Sequence, residues 1–246
     1  MKKPGLLLAA TAMMGFSSVS MASDFQFEIG GSLFDYQGNS AYGADVAWHF
    51  EPVHRRTGPL DQAGFINRSS NIRVDYLRDT DGAFDIFGGA LELYMEGFYV
   101  GLGASRFSNG FDVDSYSLRA GWMTGRNTRF TGGWDHIDSP TSSGVDILTV
   151  GIKHVQPLAN NRAFHFDGEI GTITDDVSEL THTIHADFYP MSDFGIGLRS
   201  SGIGSDHSYG FGTRYFFTPQ ISGGFEWLHH DATGTDTYEF RVAARF

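Results

Sequence analysis

The sequence has 246 residues, no cysteine and a formal net charge of −12. The missing thiols exclude disulfides, thiolate metal sites and cysteine nucleophiles, and the acidic balance excludes the basic footprint that a nucleic-acid partner needs. Glycine contributes 32 residues and aromatics 15%, against only 7 prolines, a mixture suited to strands and poor for helices.

At the start of the chain, Lys2 and Lys3 precede an apolar run from Leu6 to Phe16, and Ser20-Met21-Ala22 supplies small residues for cleavage. This three-part pattern predicts a secretory signal peptide over residues 1–22 and one mature domain over 23–246. The run is too short for a membrane helix, which needs about 20 apolar residues. Loss of Lys2 and Lys3 takes the net charge from −12 to −14.

From Phe25 onward the chain alternates with a period of two, so residues two apart share one face of a strand. Phe25, Phe27, Ile29 and Leu33 oppose Gln26, Glu28 and Ser32; Val46 and Trp48 oppose Asp45 and His49; Ile72 and Val74 oppose Arg73 and Asp75. The pattern continues through Leu91, Leu102, Leu118, Trp134, Val150, Phe166, Ile184, Ile196, Phe211 and Phe225 to a last strand with Tyr238, Phe240, Val242, Ala244 and Phe246. Fourteen strands are expected, with twelve as the alternative.

Two kinds of connection alternate between them. Asp/Gly/Ser/Asn-rich stretches (Gln37–Tyr42, Asp79–Gly82, Phe107–Asp112, Asp138–Gly144, Asp175–Ser178, Gly202–His207, Asp231–Asp236) exchange with tighter ones at Glu96-Gly97, Gly125–Asn127, Gln156–Asn161, Pro190–Asp193 and Thr218–Gln220. This is what an up-and-down meander produces when its two ends face different compartments. The exception is His54–Ser70, a long connection on the tight-turn side that is expected to hold an extra half-turn or to fold inward.

A soluble sandwich also alternates. Here the chain has few of the lysines and prolines that protect open sheet edges, and aromatics gather near strand ends: Trp48, Phe50, Tyr94, Trp122, Trp134, Tyr189, Tyr215, Phe217, Trp227 and Tyr238. Such girdles mark membrane interfaces. The fold expected is therefore all-β, a transmembrane antiparallel up-and-down β-barrel in the outer membrane of a Gram-negative cell, amid lipid and lipopolysaccharide.

Two stretches carry a family resemblance. The last nine residues, Tyr238-Glu-Phe-Arg-Val-Ala-Ala-Arg-Phe246, resemble the terminal strand of outer-membrane barrels. That resemblance implies that Phe246 belongs to an assembly signal read by the barrel-assembly machinery. Thr57-Gly-Pro-Leu-Asp-Gln-Ala-Gly-Phe-Ile-Asn-Arg-Ser-Ser-Asn71 resembles a segment of the putative general porin family of gammaproteobacteria, in which Gly-Pro-Leu, an acidic-alanine stretch and Phe-Leu-Asn-Arg-Ala-Ser-Asn follow the second strand. Gly64 stands here for a usual alanine and Ile66 for a usual leucine. The resemblance implies a pore, with no solute named.

If apolar faces meet lipid, the opposite faces line the interior. The expected pore-lining residues are Glu28, Asp45, Arg73, Asp75, Glu92, Arg119, Arg129, Asp167, Glu169, Asp187, Arg199, Arg214, Glu226 and Arg241, with Glu239 on the same face. A barrel of this size has a bore wider than side chains fill and narrower than the 16–18-stranded porins. The expected function is passive diffusion of small polar solutes and ions through a narrow charged lumen. Arginines fall on the sixth, seventh, eleventh, twelfth and last strands, and acids on the first, second, ninth and tenth. Opposed charged walls and a transverse field are expected from that distribution, with a mild cation preference from the net charge.

The alternatives are a non-conducting structural or adhesive barrel, or an outer-membrane hydrolase. Asp135-His136 and His229-His230-Asp231 sit near outer strand ends and suit general-base chemistry, but neighbours along a strand point to opposite faces. His182 has the lipid-facing register of a lipase-like histidine, with no serine assigned beside it. No cofactor motif, metal spacing or calcium loop is present, so no cofactor is expected and the chain is read as a non-enzyme.

Overall fold

The computed structural model describes residues 24–54, 58–140, 142–174 and 179–246; the predicted signal segment 1–22 lies outside them. Its strands are β1 (Phe25–Tyr36), β2 (Asn39–Val53), β3 (Asn71–Asp79), β4 (Asp85–Met95), β5 (Phe98–Ser108), β6 (Asp112–Thr124) and β7 (Thr128–Ser139), then β8 (Ser142–Pro157), β9 (Ala163–Ile173), β10 (Leu180–Met191), β11 (Phe194–Ile203), β12 (Asp206–Thr218), β13 (Ile221–His230) and β14 (Thr235–Arg245). All neighbours pair antiparallel in chain order, and β14 returns to β1 to close a barrel of fourteen strands. Closure leaves no unpaired edge, which a hydrocarbon surround requires because no water is there to satisfy it.

The seam is tight. Glu28 pairs with Arg245 and Tyr36 with Thr237. Phe246 extends it, donating its N–H to Phe27 O at 2.9 Å and accepting at its carbonyl from Gln26 N (2.6 Å) and Phe27 N (3.0 Å).

The alternation read from the sequence is the in-out alternation of the wall. Ile29, Val46, Val74, Leu102, Leu118, Val150, Ile170 and Leu198 are exposed on the outside, where lipid is their solvent. Aromatics ring both margins of this band. Trp48, Phe98, Trp122, Tyr215 and Phe217 lie toward the end that carries both termini, and Tyr42, Phe87, Tyr116, Trp134 and Tyr209 toward the other. Two of the expected girdle residues are elsewhere. Tyr94 and Tyr189 follow outward-facing Leu93 and Phe188, so the pleat turns them inward; Tyr189 is only 2% exposed.

Strands are longer and connections shorter than the composition suggests. Gln37 and Gly38 both take positive φ (52° and 78°), as two-residue hairpins whose twist matches the strands require. The ladder then resumes at once, and most of the Gln37–Tyr42 stretch belongs to β2.

Candidate functional site: the charged lumen and its inward-folded segment

The connection from β2 to β3 turns into the barrel. A 3-10 turn (Leu60–Gln62) runs directly into one turn of helix, α1 (Ala63–Ile66). The local sequence dictates this shape. Gly58 supplies a φ of 134°, and a Cβ there would lie 2.9 Å from Ile66 Cδ1. Asn67 stops the helix by donating its side-chain N–H to Ala63 O and His54 O, each at 2.8 Å, and Arg68 follows with φ of 53°. Leu60, Gln62, Ala63, Phe65 and Ser69 are buried. The residues that carry the family resemblance are thus the ones that fold and seat this segment. Gly64 also fits locally, because His49 Cε1 lies 3.3 Å from where an alanine Cβ would stand.

The segment reaches walls on several sides of the bore. Asp61 accepts from Arg214 of β12 at 2.5 Å and from the Tyr189 hydroxyl of β10 at 3.0 Å. Gln62 donates to the same hydroxyl at 3.1 Å. Arg245 of β14 donates to Leu60 O at 2.9 Å, and Leu60 N donates to Ser192 O at 2.8 Å. On another side, Phe65 lies under Lys153 of β8 (5.1 Å to the ring centroid) and near Arg129 of β7 (5.8 Å). These are cation–π distances. Burial alone would push the Asp61 carboxyl up; Arg214, Arg245 and the Tyr189 hydroxyl outweigh it and hold the group below the usual carboxylate range.

Above this segment the expected lining residues face one another. Arg119 (β6) donates to Asp135 and to Glu169 (β9), both at 2.8 Å. Arg129 (β7) reaches Glu92 (β4) at 3.3 Å, and Arg214 (β12) reaches Glu28 (β1) at 3.3 Å. The Arg119–Glu169, Arg129–Glu92 and Arg214–Glu28 pairs each pass over two intervening strands, which only side chains converging on the concave face can do. Glu28 also holds Arg241 (3.5 Å) and Arg245 (2.5 Å). Asp45 holds Arg241 and, at 3.2 Å, Arg73. Asp187 holds Arg199 and His165, each at 2.7 Å; Arg199 also reaches Glu226 at 3.2 Å, and Lys153 reaches Asp167 at 3.4 Å. Asp75 sits opposite Asp45 in the ladder and has no ion-pair partner among the described residues.

The opposed charged walls do not form. Strands that are distant in sequence are neighbours across the seam, so the arginines of β12 and β14 meet the acids of β1 and β2. Arginine is long enough for the remaining clusters to interleave too. Among the described residues these charges pair in local networks instead of standing on opposed walls.

Several interior residues were not among those expected. Arg245, 6% exposed, shares a face with Arg241 four residues earlier and was legible from that spacing. Lys153 and Asp135 follow in the same way from outward Ile152 and Trp134. Asp61 was not among them, because the expectation that His54–Ser70 holds a half-turn or folds inward does not say which of its side chains meets the wall.

The histidine pairings were also decided across strands. Asp135 turns in to Arg119 while His136 turns out to Asp146 at 2.8 Å. His229 meets Asp236 at 2.8 Å and Asp231 at 3.7 Å. Contrary to expectation, His182 does have a serine beside it: its Nε2 lies 3.1 Å from Ser200 Oγ, one strand over on the diagonal. Among the described residues no carboxylate lies within ion-pair distance of His182.

The sequence model of the family described as putative general bacterial porin matches residues 1–133. A comparison with curated proteins finds no match. Among solved structures, the chain is similar to the Acinetobacter baumannii outer membrane protein Omp33, at 24% identity over 91% of this chain and 99% of that one, with a TM-score of 0.76; this likeness is one of fold. A KdgM porin in complex with disordered oligogalacturonate aligns at 10% identity over 89% of this chain and 99% of that one, TM-score 0.49, and a Rhodopseudomonas blastica porin triple mutant at 11% over 90% and 99%, TM-score 0.49. A fourteen-strand closed wall with a charged interior, together with a family match over more than half its length, shows that the chain belongs to the putative general bacterial porin family and is an outer-membrane porin.

Proposed function

We propose that the barrel conducts small polar solutes and ions passively, along a path lined by Glu28, Asp45, Arg73, Asp75, Glu92, Arg119, Arg129, Asp167, Glu169, Asp187, Arg199, Arg214, Glu226 and Arg241. The path narrows where residues 58–70 fold inward, and this inward segment is the observation that carries the reading. It supplies the constriction that short outer connections cannot, and it presents charged and hydrogen-bonding groups that replace part of a solute's hydration. Local neutralisation of the lumen leaves selectivity to the surplus acids, so a weak cation preference is expected.

The remaining parts of the reading follow from the envelope setting. Residues 1–22 direct export and are removed. Phe246 at the seam is the end of the strand handed to the barrel-assembly machinery, and lipopolysaccharide surrounds the margin with Tyr42, Phe87 and Tyr116. The protein carries out no catalysis, needs no cofactor and binds no nucleic acid.

The test is single-channel recording of the chain from Ser23 refolded into planar bilayers. Discrete ohmic steps with a reversal potential on the cation-selective side are expected. A barrel that folds but passes no current overturns the reading, and the inward segment is then a plug in a structural barrel.

A further inference from the structure

A half-enclosed recess of about 180 Å³ opens in the inner wall above Asp61, formed by β10 to β14. Its floor plan is two rows of inward-facing positions. The lower row runs Gly195, Arg214, Gly224, Arg241 through successive ladder partners of β11 to β14. The upper row, two residues further along each strand, runs Gly197, Gly212, Glu226, Glu239. Two residues of strand put the rows about 6.7 Å apart. The glycines make the space: a Cβ on Gly212 would lie 3.2 Å from Glu226 Oε2 and 3.3 Å from Arg199 Nη2.

The upper row is electrostatically incomplete. Glu226 and Glu239 are direct ladder partners, and like charges directly opposite repel. Among the described residues Arg199 is the single guanidinium on Glu226, and Asp187 shares it. Glu239 accepts from Ser32 Oγ at 2.6 Å and has no ion pair among the described residues. A carboxylate has about four acceptor positions, so both retain capacity toward the recess. The lower row has the opposite sign, in Arg214 and Arg241.

We propose that this recess is a subsite for small zwitterions of the α-amino-acid type. The ammonium group sits between Glu226 and Glu239, and the carboxylate turns down to Arg241 and Arg214. A simple cation satisfies only the glutamate pair, and a simple anion only the donors that Arg214 and Arg241 keep beyond their bonds to Asp61, Glu28 and Asp45. A solute carrying both charges a few ångströms apart satisfies both rows in one orientation. The inference rests on the porin reading, since such a subsite serves a solute in transit.

Three probes of one skeleton test it: L-alanine, ethylammonium and propionate. Binding to the micelle-solubilised barrel is read by saturation-transfer NMR, and single-channel potassium current is recorded in bilayers with each solute added. Alanine is expected to bind at least tenfold more tightly than either single-charge probe and to reduce the current saturably. Glu239→Gln is expected to weaken alanine binding at least tenfold, with the heat-modifiable gel shift of the folded barrel retained. Gly224→Leu, which fills the recess, is expected to weaken it similarly. If ethylammonium binds as tightly as alanine, the site is a cation site and the proposal fails; if alanine shows no saturable binding, it also fails. A barrel that passes no current but binds alanine overturns the conduction reading and keeps the subsite.

Discussion

Replacing Asp61 with asparagine removes the charge that ties the inward segment to β12 while keeping the shape of the side chain. Asp61 receives Arg214 at 2.5 Å and the Tyr189 hydroxyl at 3.0 Å. A charged hydrogen bond contributes about 1.5–3 kcal/mol. Arg214 keeps Glu28 at 3.3 Å, so the loss stays below the roughly 3–5 kcal/mol of a wholly uncompensated buried charge. A loss of about 2 kcal/mol raises the undocked population about 30-fold. The chain has no cysteine, so Ala63→Cys, at a position 7% exposed, reports undocking by its rate of reaction with a hydrophilic maleimide. Labelling in the Asp61→Asn background is expected to be about 30-fold faster. A rate within about threefold of the parent, less than 1 kcal/mol, would refute the reasoning; the packing of Leu60 and Phe65 alone would then hold the segment.

The same contact has a pH signature. The Asp61 carboxyl is held below its usual range when docked, so its contribution is present in full above the undocked value of about 3.9. It is lost only as pH falls through the lower docked value. Exchange protection of the Leu60 amide, corrected for intrinsic rate, is therefore expected to stay flat from neutral pH to about 4 and to fall below it; a fall beginning near pH 6 contradicts the assignment. Arg119→Ala leaves Asp135 and Glu169 without their guanidinium. It is expected to destabilise the barrel by about 2–3 kcal/mol in urea unfolding, less than a fully buried pair because lumen water screens it. In bilayers it is expected to shift the reversal potential further toward cation selectivity; an unchanged potential places Arg119 off the permeation path. Gly210→Ala drives a Cβ into the Trp227 carbonyl of the neighbouring strand, whereas Gly132→Ala meets nothing within 4 Å. The first is expected to lower the folded yield in a heat-modifiability gel and the second to leave it unchanged. Deleting Phe246 removes three backbone hydrogen bonds at the seam, and a reduced refolding rate into lipid vesicles is expected.

Strand number and in-out register were legible because a barrel wall is a local object. Leu118 and Arg119 alternate whatever the rest of the chain does, and the pleat forces one to lipid and the other to the bore. The same rule, applied to every strand residue, also gives Arg245, Lys153 and Asp135, and moves Tyr94 and Tyr189 from the girdle to the interior. What was not legible involves partners. Glu28 meets Arg214 and Arg245 because the ends of the chain close on each other, and a reading of strands in sequence order separates them. The pairing of His182 with Ser200 runs on a diagonal between two strands, which register alone reveals.

The sequence by itself determined the wall. Period-two alternation, glycine and aromatic content and regularly spaced turns leave an antiparallel closed barrel as the arrangement that satisfies every backbone group in lipid. Tertiary structure alone decided the interior: which walls residues 58–70 meet, which charges pair with one another, and where Gly212 and Gly224 border a recess. The physical reason is the range of the forces involved. Alternation is set by bond geometry between adjacent residues, whereas an ion pair depends on the distance between side chains from strands that closure alone brings together.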